Sequence, residues 1–394
     1  MSISYWLDKK EKPTHQYDIT IIGGGVAGLS TAYWLLKEDP SLNICLIEKN
    51  RLGFGATGRN AGFITCGSVE HFNRLVGKHG PSEAQNIWRF SETNLELLKQ
   101  EIFSGHEDQI YFEQAGTYSL ATTHQEFSEL QESAAIMQKM DIKVEVVDQL
   151  EIQKQLNAIG FVGGINYQRD GSVHPLLMLG LIKEKILKLK PDFEFFTGHE
   201  VYAINDQAEN KLIKTDNGNF LTPILVMATN AYSDLIHPWF KNKIFPTKGQ
   251  ILMTEPLNKR IMQAPCYCNF VLDYFRQLPS REILIGGFRQ LQKNSEIGHS
   301  DNVTGPIQEA LADFLDKHIP LARGKEITHR WSGIMGFSTD GQPMVGSLPT
   351  DPQTFFLGGF TAHGLGLAFH CAKALVDSMY DRPIPAWLSA KRFS

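Results

Sequence analysis

The sequence of 394 residues predicts an α/β fold, α+β overall, that joins a Rossmann-like domain to a second, discontinuous β-sheet domain. A strand, glycine turn and helix pattern near the start of the chain indicates the first domain. Short strand-like runs around a helical segment, TYSLAT and KVEVV among them, indicate the second. The length also exceeds the ~250–300 residues at which one hydrophobic core stops growing, so at least two folding units are expected.

The segment YDITIIGGGVAGLSTAYWLL, residues 17–36, is apolar enough to suggest a membrane span. Three consecutive glycines, each costing about 1 kcal/mol inside a helix, argue against a span. The pattern instead indicates a short buried strand, the turn G-x-G-x-x-G and a helix. This is the local context that a dinucleotide site requires.

Each glycine of this turn has its own role. Gly23 permits the tight turn, Gly25 lets the backbone approach a pyrophosphate, and Gly28 allows helix and strand to pack closely. The start of the helix then offers unpaired N–H groups to the phosphates. Glu48 ends the next predicted strand, LNICLIEKN, about where an acid binds a ribose hydroxyl. Together these positions predict a dinucleotide site.

The loop that follows, EKNRLGFGATGRNAGFIT at residues 48–65, favours FAD over NAD. Its repeated glycines and its polar Thr57, Arg59 and Asn60 suit a long ligand that lies extended against the backbone. Apolar residues between them, such as Phe54, disfavour a flexible surface loop. Only one dinucleotide fingerprint is present, so the electrons are expected from an organic substrate rather than from a nicotinamide.

Eight segments spread over most of the chain are distinctive: IIGGGVAGLSTAYWL, LGFGATGRNAG, RDGSVHPLLM, ILVMATNAYSD, LDYFR, ILIGGF, HRWSGIMGFSTDGQPMVG and FFLGGFTAHGLGLAFH. They resemble the FAD-dependent oxidoreductases of the D-amino-acid oxidase/glycine oxidase superfamily, and within it the γ-glutamylputrescine oxidase-like amine oxidases. The resemblance implies a glycine/D-amino-acid oxidase-like fold. It assigns residues 1–107, 160–235 and 328–394 to the FAD-binding domain, and residues 108–159 and 236–327 to the substrate domain.

The resemblance also implies a set of FAD contacts. Sarcosine oxidase-like relatives attach FAD through a cysteine in the region of residues 329–349, which contains none here, so non-covalent FAD is expected. The expected cofactor-binding residues are Gly23, Gly25, Val26, Ala27, Gly28, Glu48, Lys49, Ala56, Thr57, Gly58, Arg59, Asn60, Ala61, Val201, Ala228, Thr229, Gly333, Gly364, Leu365 and Gly366.

Three residues are candidates for the reaction itself. GGFTAHGLGLAFH predicts a helix from near Gly364, whose N-terminus would stabilise negative charge on reduced flavin. His363 precedes that helix and is either a flavin-edge residue or a structural loop histidine. Tyr274 and Trp331 are candidate walls of a dry substrate pocket, although each is also a plausible core residue. No metal site is expected. Neither the Cys266–Cys268 pair nor the His363–His370 pair has further potential metal ligands at a suitable spacing.

Met335 indicates the substrate. Glycine oxidase-like enzymes tend to read W-x-G-x-R-P where this chain reads WSGIMG, so Met335 replaces the arginine that grips an α-carboxylate. That charge-assisted bond is worth ~1.5–3 kcal/mol. We therefore expect oxidation of a secondary or primary amine, such as a γ-glutamylated polyamine, to an imine by hydride transfer to flavin N5, followed by hydrolysis. Arg276, Arg289 and Arg330 could still supply a cation, or could be structural.

Two alternatives stay open. The chain could be an oxidase or dehydrogenase of glycine, sarcosine or a D-amino acid, or a flavin-bearing assembly factor without catalysis. The electron acceptor could be oxygen or another molecule. The strand EILIGGFR lacks the oxygen-activating lysine of sarcosine oxidase-like enzymes, and Lys248 is the nearest alternative.

Composition bounds the partners and the compartment. A formal net charge of −5 without a dense Lys/Arg cluster disfavours nucleic acid. Five scattered cysteines indicate a reducing compartment. The polar N-terminal segment does not have the pattern of a secretory signal, and no transmembrane segment is expected. These features predict a cytoplasmic protein, and a small-molecule amine substrate is what the resemblance implies.

Overall fold

A computed structural model describes residues 3–67, 69–269 and 272–393. Its helices are α1 (Tyr5–Asp8), α2 (Val26–Glu38), α3 (Val69–Leu98), α4 (His124–Lys139), α5 (Gln149–Leu156), α6 (Pro175–Leu189), α7 (Gly305–His318) and α8 (Gly364–Met379). Helix α3 is kinked at Gly80, whose φ of 78° is not helical and which precedes Pro81.

The strands are β1 (Thr14–Gln16), β2 (Ile19–Ile22), β3 (Ile44–Glu48), β4 (Phe63–Ile64), β5 (Thr117–Ala121), β6 (Val144–Asp148), β7 (Gly163–Tyr167), β8 (Gly171–Ser172), β9 (Glu194–Thr197), β10 (Val201–Gln207), β11 (Asn210–Thr215), β12 (Asn219–Thr222), β13 (Ile224–Met227), β14 (Ile244–Thr254), β15 (Cys266–Cys268), β16 (Asp273–Gln277), β17 (Ile283–Gly287), β18 (Ile327–Ser338), β19 (Met344–Leu348) and β20 (Asp351–Gly358).

By its internal packing the chain divides into two units. Unit 1 comprises Met1–Gly58, Leu176–Thr247 and Ile334–Ser394, and unit 2 comprises Arg59–Pro175 and Lys248–Gly333. The predicted α/β fold, with a Rossmann-like part and a separate β-sheet part, is confirmed. The units are defined by packing and not by ligand, so the assignment of chain segments to FAD or to substrate stays a prediction.

Unit 1 contains a six-stranded sheet in the order β19-β20-β13-β2-β3-β9. Strands β20, β13, β2, β3 and β9 pair in parallel, and β19 is antiparallel to β20. All four residues of β2 are buried, and three of them are isoleucine, as suits a strand in the middle of a parallel sheet. A smaller sheet, β1-β12-β11-β10, completes this unit.

Helices α2 and α8 pack against each other in unit 1. The indole Nε1 of Trp34 donates to the backbone oxygen of Phe369 at 3.1 Å, and their ring centroids lie 5.1 Å apart. Helix α2 is buried along most of its length. In the described part of the chain, no helix is both long and apolar enough to cross a membrane. The apolar run at residues 17–36 is therefore a strand, turn and buried helix.

Unit 2 is built on an eight-stranded sheet, β18-β14-β17-β16-β15-β5-β7-β6. Residues that lie directly opposite each other in a sheet share one face. One row, Leu252–Ile285–Phe275, faces a core cluster that includes Leu311 of α7. The neighbouring row, Ile251–Gly286–Tyr274, faces the other side. This second face carries the partly buried Tyr274 and Trp331.

Candidate functional site

The glycine turn in unit 1 has no room for side chains at two positions. Gly23 has a φ of +117°, and a Cβ there would lie 2.6 Å from the Ala228 carbonyl oxygen. A Cβ on Gly28 would lie 1.9 Å from the Gly23 carbonyl oxygen. The strand-to-helix turn is thus tight because helix, turn and the end of β13 approach backbone to backbone. This is the geometry that the sequence motif predicts.

Gly25 is the residue immediately before α2 and has an extended backbone. Thr57, which is buried, accepts a hydrogen bond at Oγ1 from the Val26 amide at 3.0 Å. A Cβ on Gly25 would lie 2.9 Å from that oxygen. Thr57 was expected as a ligand contact, and the structure shows that it caps the helix that would receive the phosphates.

Glu48 holds the loop that surrounds the glycine turn. Its Oε2 accepts the Gly24 amide and its Oε1 accepts the Asn50 amide, each at 2.8 Å. A carboxylate has further acceptor capacity, so a ribose hydroxyl can still bind there. Lys49, the next residue, forms an ion pair at 3.7 Å with Glu200.

Asn230 is a residue that the sequence pattern does not single out. It follows Ala228 and Thr229, has a left-handed φ of 44°, and accepts the Gly359 amide at Oδ1 at 2.9 Å. A Cβ on Gly336 would lie 2.5 Å from the same oxygen. Asn230 therefore joins the ends of β13, β18 and β20 within unit 1. The one signal in the sequence is an asparagine directly after a strand, since asparagine tolerates left-handed backbone.

The turn before α8 is conformationally strained. Thr361 and Ala362 have φ values of 49° and 70°, which residues with a Cβ seldom adopt. His363 follows, is buried, and accepts the Gly366 amide at its backbone oxygen at 3.1 Å. Gly364 begins the helix as predicted. Strain of this kind persists where the surrounding structure imposes it, often at ligand sites.

Val201, another expected contact, lies in β10 with its side chain in a core cluster. Any contact to a cofactor would therefore be made by its backbone. Ala56, Thr57 and Gly58 form a short 3-10 helix. Leu365 lies in the first turn of α8, as expected. Val26 and Ala27 lie in the first turn of α2, so this helix begins within the G-x-G-x-x-G motif rather than after it.

The cradle in unit 1 fits the diphosphate and ribose of a dinucleotide. Gly23 and Gly28 bring the backbone close, Gly25 leaves the start of α2 uncovered by a side chain, and Glu48 presents a carboxylate. Helix N-termini bind anions because their first N–H groups lack partners within the helix.

Unit 2 contains the rest of the glycine-rich loop, beginning at Arg59. The Trp331 indole donates to the Arg59 carbonyl oxygen at 3.0 Å, and Arg59 Nη1 donates to the Ser332 carbonyl oxygen at 2.9 Å. A Cβ on Gly333 would lie 3.0 Å from the Arg59 Cβ. Asn60 accepts the Gly62 amide at Oδ1 at 2.7 Å. The structure thus brings together Trp331, Gly333 and the Arg59–Ala61 loop.

Tyr274 and Trp331 share one cluster on the sheet face. Both are partly buried against Ala61, Ile251 and Leu284. The Tyr274 ring crosses Gly286 so closely that a Cβ there would lie 2.4 Å from it. Burial raises the pKa of Tyr274 to about 12, so its phenol is neutral at physiological pH. This surface is aromatic and can shield a reaction from water.

The Tyr274 ring also contacts a further aromatic side chain. Phe63 packs edge-on to Tyr274 with ring centroids 5.8 Å apart, and edge-on to Tyr267 at 5.3 Å. Tyr267 in turn lies within hydrogen-bonding distance of Thr65, with 2.9 Å between the two hydroxyl oxygens. The aromatic face therefore extends from Trp331 to Tyr267 within unit 2.

Lys248 does not lie on the aromatic face. Its ammonium forms an ion pair with Glu296 at 3.2 Å, and both side chains are buried. Gln250, two residues along β14, also donates to Glu296 at 3.1 Å. Side chains two residues apart in a strand share a face, and Ile251 lies on the opposite one. Lys248 therefore stabilises the α7 side of the sheet, and the structure does not place it beside Tyr274.

The arginines that could supply a cation occupy different positions. Arg330 donates to Gln308 on α7 at 2.8 Å. Arg276 is almost fully buried and donates to backbone carbonyl oxygens. Burial lowers the pKa of Arg289, which lies in the electrostatic environment of Tyr274. Arg276 and Arg330 thus make structural contacts within unit 2.

Metal binding has no support in the part of the chain that the structure describes, where no group of three or more His, Cys, Asp or Glu side chains could hold an ion. The five cysteines are free thiols and are buried. Cys266 and Cys268 lie within β15, in the core of unit 2.

Comparison with known proteins identifies the class. Residues 18–378 match the model of the FAD dependent oxidoreductase family. The chain belongs to this family and is an FAD-dependent oxidoreductase. The predicted family, cofactor and enzyme class are confirmed by this match.

The individual relatives share low sequence identity with this chain. The chain is 26% identical over 380 residues to the protein named "Probable oxidoreductase OrdL" of Haemophilus influenzae, covering 92% of this chain and 82% of that protein. It is 23% identical over 377 residues to γ-glutamylputrescine oxidoreductase of Escherichia coli K12, covering 92% and 83%. The crystal structure of glycine oxidase from Geobacillus kaustophilus superposes with a TM-score of 0.81 at 20% identity, covering 96% of this chain and 98% of that one. This last likeness shows the fold.

Proposed function

We propose that the protein oxidises an amine without an α-carboxylate at the reacting carbon, with γ-glutamylated polyamines as the favoured class. The observation that carries the proposal is Met335 in β18, at the position where glycine oxidase-like enzymes tend to have an arginine. Met335 is two residues along the strand from Gly333 and four from Trp331, so all three side positions lie on one face of β18. The E. coli relative named γ-glutamylputrescine oxidoreductase supports the same class.

FAD supplies an acceptor for the hydride that leaves the α-carbon of the neutral amine. Water then hydrolyses the product imine to a carbonyl compound, with release of ammonia from a primary amine or of a smaller amine from a secondary one. The chain binds FAD through the cofactor-binding residues that the resemblance implies. The proposed contacts are Gly23, Gly25, Val26, Ala27, Gly28, Glu48, Lys49, Ala56, Thr57, Gly58, Arg59, Asn60, Ala61, the Val201 backbone, Ala228, Thr229, Gly333, Gly364, Leu365 and Gly366.

The residues of the chain then position the reactants and exclude water. The start of α2 binds the pyrophosphate, and Glu48 accepts a ribose hydroxyl while it continues to hold Gly24. The start of α8, with His363 before it, stabilises negative charge at the flavin edge. Tyr274 and Trp331 provide an apolar surface on which an uncharged amine is favoured over an ammonium ion.

Three further properties belong to the proposal. FAD is held without a covalent bond, because the region of β18 and β19 that attaches flavin in sarcosine oxidase-like relatives contains no cysteine. The compartment is the cytoplasm, which five free and buried thiols support. The electrons pass to oxygen or to another acceptor.

Anaerobic reduction of the flavin by matched substrates tests the proposal. γ-Glutamylputrescine and a simple N-alkyl amine should reduce the bound flavin faster than glycine, sarcosine or D-alanine, by about tenfold or more. Met335→Arg should move the preference towards the amino acids, whereas Met335→Leu, which keeps an apolar side chain, should leave it unchanged. Rates are read from the loss of flavin absorbance after rapid mixing.

Two outcomes contradict the proposal. A clear preference of the unmodified protein for an α-amino acid would favour the glycine or sarcosine oxidase alternative. Flavin that dithionite reduces but no amine or amino acid reduces would favour an assembly factor that only carries FAD.

A further inference from the structure

Arg276 of β16 is a buried cation. Its side chain is 2% exposed, and its Nη1 lies 3.2 Å from the Ala61 carbonyl oxygen, 3.3 Å from that of Gly62 and 3.4 Å from that of Val173. Within residues 3–67, 69–269 and 272–393, no carboxylate lies within ion-pair distance of it. Glu113, the acid that acts on its pKa, is itself paired with Arg260.

A charge in this position is costly. Burial of a cation without a paired anion costs several kcal/mol. Burial lowers the pKa of Arg276 to about 10, which still leaves the guanidinium charged at physiological pH. A methionine would fill similar space without this cost, but it would remove the donor to the Ala61 and Gly62 carbonyl oxygens. The charge is therefore retained for something other than packing.

The partners of Arg276 show what it acts on. Ala61 and Gly62 continue the loop that begins at Arg59, and the Arg59 carbonyl is held in turn by Trp331. Gly62 has a φ of +76°, and a Cβ there would lie 2.9 Å from Arg276 Nη1 and 2.2 Å from the Val173 carbonyl oxygen. The glycine is thus required for the close approach of the guanidinium.

The carbonyls of this loop are directed to groups of unit 2. Arg276 binds those of Ala61 and Gly62, Trp331 binds that of Arg59, and the Val173 amide donates to Gly62 at 2.8 Å. A cation at the oxygen end of a peptide polarises the group and strengthens the donor at its nitrogen end. The nitrogen end of the peptide whose carbonyl belongs to Ala61 is the Gly62 amide, which donates to Asn60 Oδ1 at 2.7 Å. The positive polarity therefore passes from Arg276 to the side-chain amide of Asn60, a proposed flavin contact.

We propose that Arg276 is a positioning residue for the flavin: it fixes the Ala61 and Gly62 carbonyls and, through these peptides, makes the bound flavin easier to reduce. The proposal rests on the function proposed above only in taking Arg59, Asn60 and Ala61 as flavin contacts. Reduced flavin carries negative charge, so positive polarity at its contacts favours the reduced form. Arg276 does not bind the substrate.

The test is the midpoint potential of the bound flavin, measured by slow enzymatic reduction with a reference dye and without an amine. Arg276→Met removes the charge and should shift the oxidised-to-reduced equilibrium about tenfold towards the oxidised form, or about 30 mV for two electrons. Arg330→Met, on the other face of the same sheet, is the control and should leave the potential unchanged. Hydrogen exchange of the apoprotein should show faster exchange at residues 60–63 in Arg276→Met alone.

Arg276→Lys keeps the proposal testable if the methionine variant does not fold. A buried lysine has a lowered pKa and loses its proton as the pH rises. The groups that bear on this titration are Glu113, Arg260 and His174. The potential of the lysine variant should match the parent near neutral pH and fall below it at alkaline pH.

An unchanged potential in Arg276→Met, or a lysine variant that follows the parent at every pH, would overturn the proposal and leave Arg276 a structural residue. Loss of activity confined to carboxylate-bearing amines would also overturn it, because that result makes Arg276 a substrate cation. Failure of the amine proposal is separate, since none of these potentials depends on a substrate.

Discussion

The glycine cradle of unit 1 and the aromatic face of unit 2 are built in different ways. In the cradle, backbone approaches backbone, so a Cβ at Gly23 or Gly28 would overlap a carbonyl oxygen. On the aromatic face, the register of β16 and β17 places Tyr274 over Gly286, and side chains fill the surface. The cradle thus depends on the absence of side chains and the aromatic face on their identity. Changes to the first should remove FAD, and changes to the second should alter the reaction while FAD stays bound.

Gly25→Val should have the largest effect, with loss of measurable FAD binding. The branched side chain would displace the Thr57 hydroxyl that caps α2 and would cover the helix start. FAD per chain, measured after gel filtration, checks this. Gly55→Ala is the matched control, because a Cβ on Gly55 has nothing within 4 Å. Equal FAD content in the two variants would show that the phosphates do not bind at this turn.

Glu48→Ala should weaken FAD binding by ~1.5–3 kcal/mol, the value of one charge-assisted hydrogen bond. Because Glu48 also holds the Gly24 and Asn50 amides, part of the loss comes from a loosened turn. Glu48→Gln keeps one acceptor oxygen and should lose less FAD affinity than Glu48→Ala. Titration of apoprotein with FAD gives both affinities, and an unchanged affinity in the alanine variant would remove Glu48 from the site.

Asp170→Asn should change how the stability of unit 2 depends on pH. Burial raises the pKa of Asp170 to about 7, while its oxygens accept the Cys66 amide and the Thr117 hydroxyl. A carboxyl whose pKa is raised on folding contributes stability at low pH that is lost as the pH rises towards the folded value. The melting temperature of the parent should therefore fall between about pH 4 and pH 7 as Asp170 ionises. Over the same range the melting temperature of Asp170→Asn should fall by a few degrees less. Melting curves at several pH values decide, and parallel curves would contradict the expectation.

Trp331→Phe should have the smallest effect. It keeps the ring and removes the hydrogen bond to the Arg59 carbonyl, a loss of about 0.5–1.5 kcal/mol. FAD content should stay near that of the parent while the rate of flavin reduction by an amine falls a few-fold. If Trp331→Phe loses FAD as Gly25→Val does, the aromatic face is also needed for FAD binding, and the two regions do not differ in this respect.

The same distinction explains what the sequence allows one to predict. Gly23, Gly25, Gly28 and Glu48 lie within one short stretch, and their roles follow from local backbone requirements. The fold class follows from that stretch and from the resemblance of segments along the chain.

Asn230 and Arg276 could not be predicted in their structural roles. Asn230 binds Gly359, and Arg276 binds Ala61, both through contacts between distant parts of the chain. Lys248 shows the same limit, since only the pairing of β14 with β17 and the contact with Glu296 place it on the α7 face. Sheet register and long-range hydrogen bonds are set by the whole fold, and no local pattern records them.

The most direct test of the central claim, that this chain holds FAD non-covalently in a backbone cradle and uses it on an amine, is made on the unmodified protein. Anaerobic addition of γ-glutamylputrescine is followed by acid denaturation, and flavin is quantified before and after. The account predicts that the amine bleaches the flavin and that intact FAD, stoichiometric with the chain, is then found in the supernatant. Flavin that stays with the precipitate, or colour that no amine removes, would contradict it.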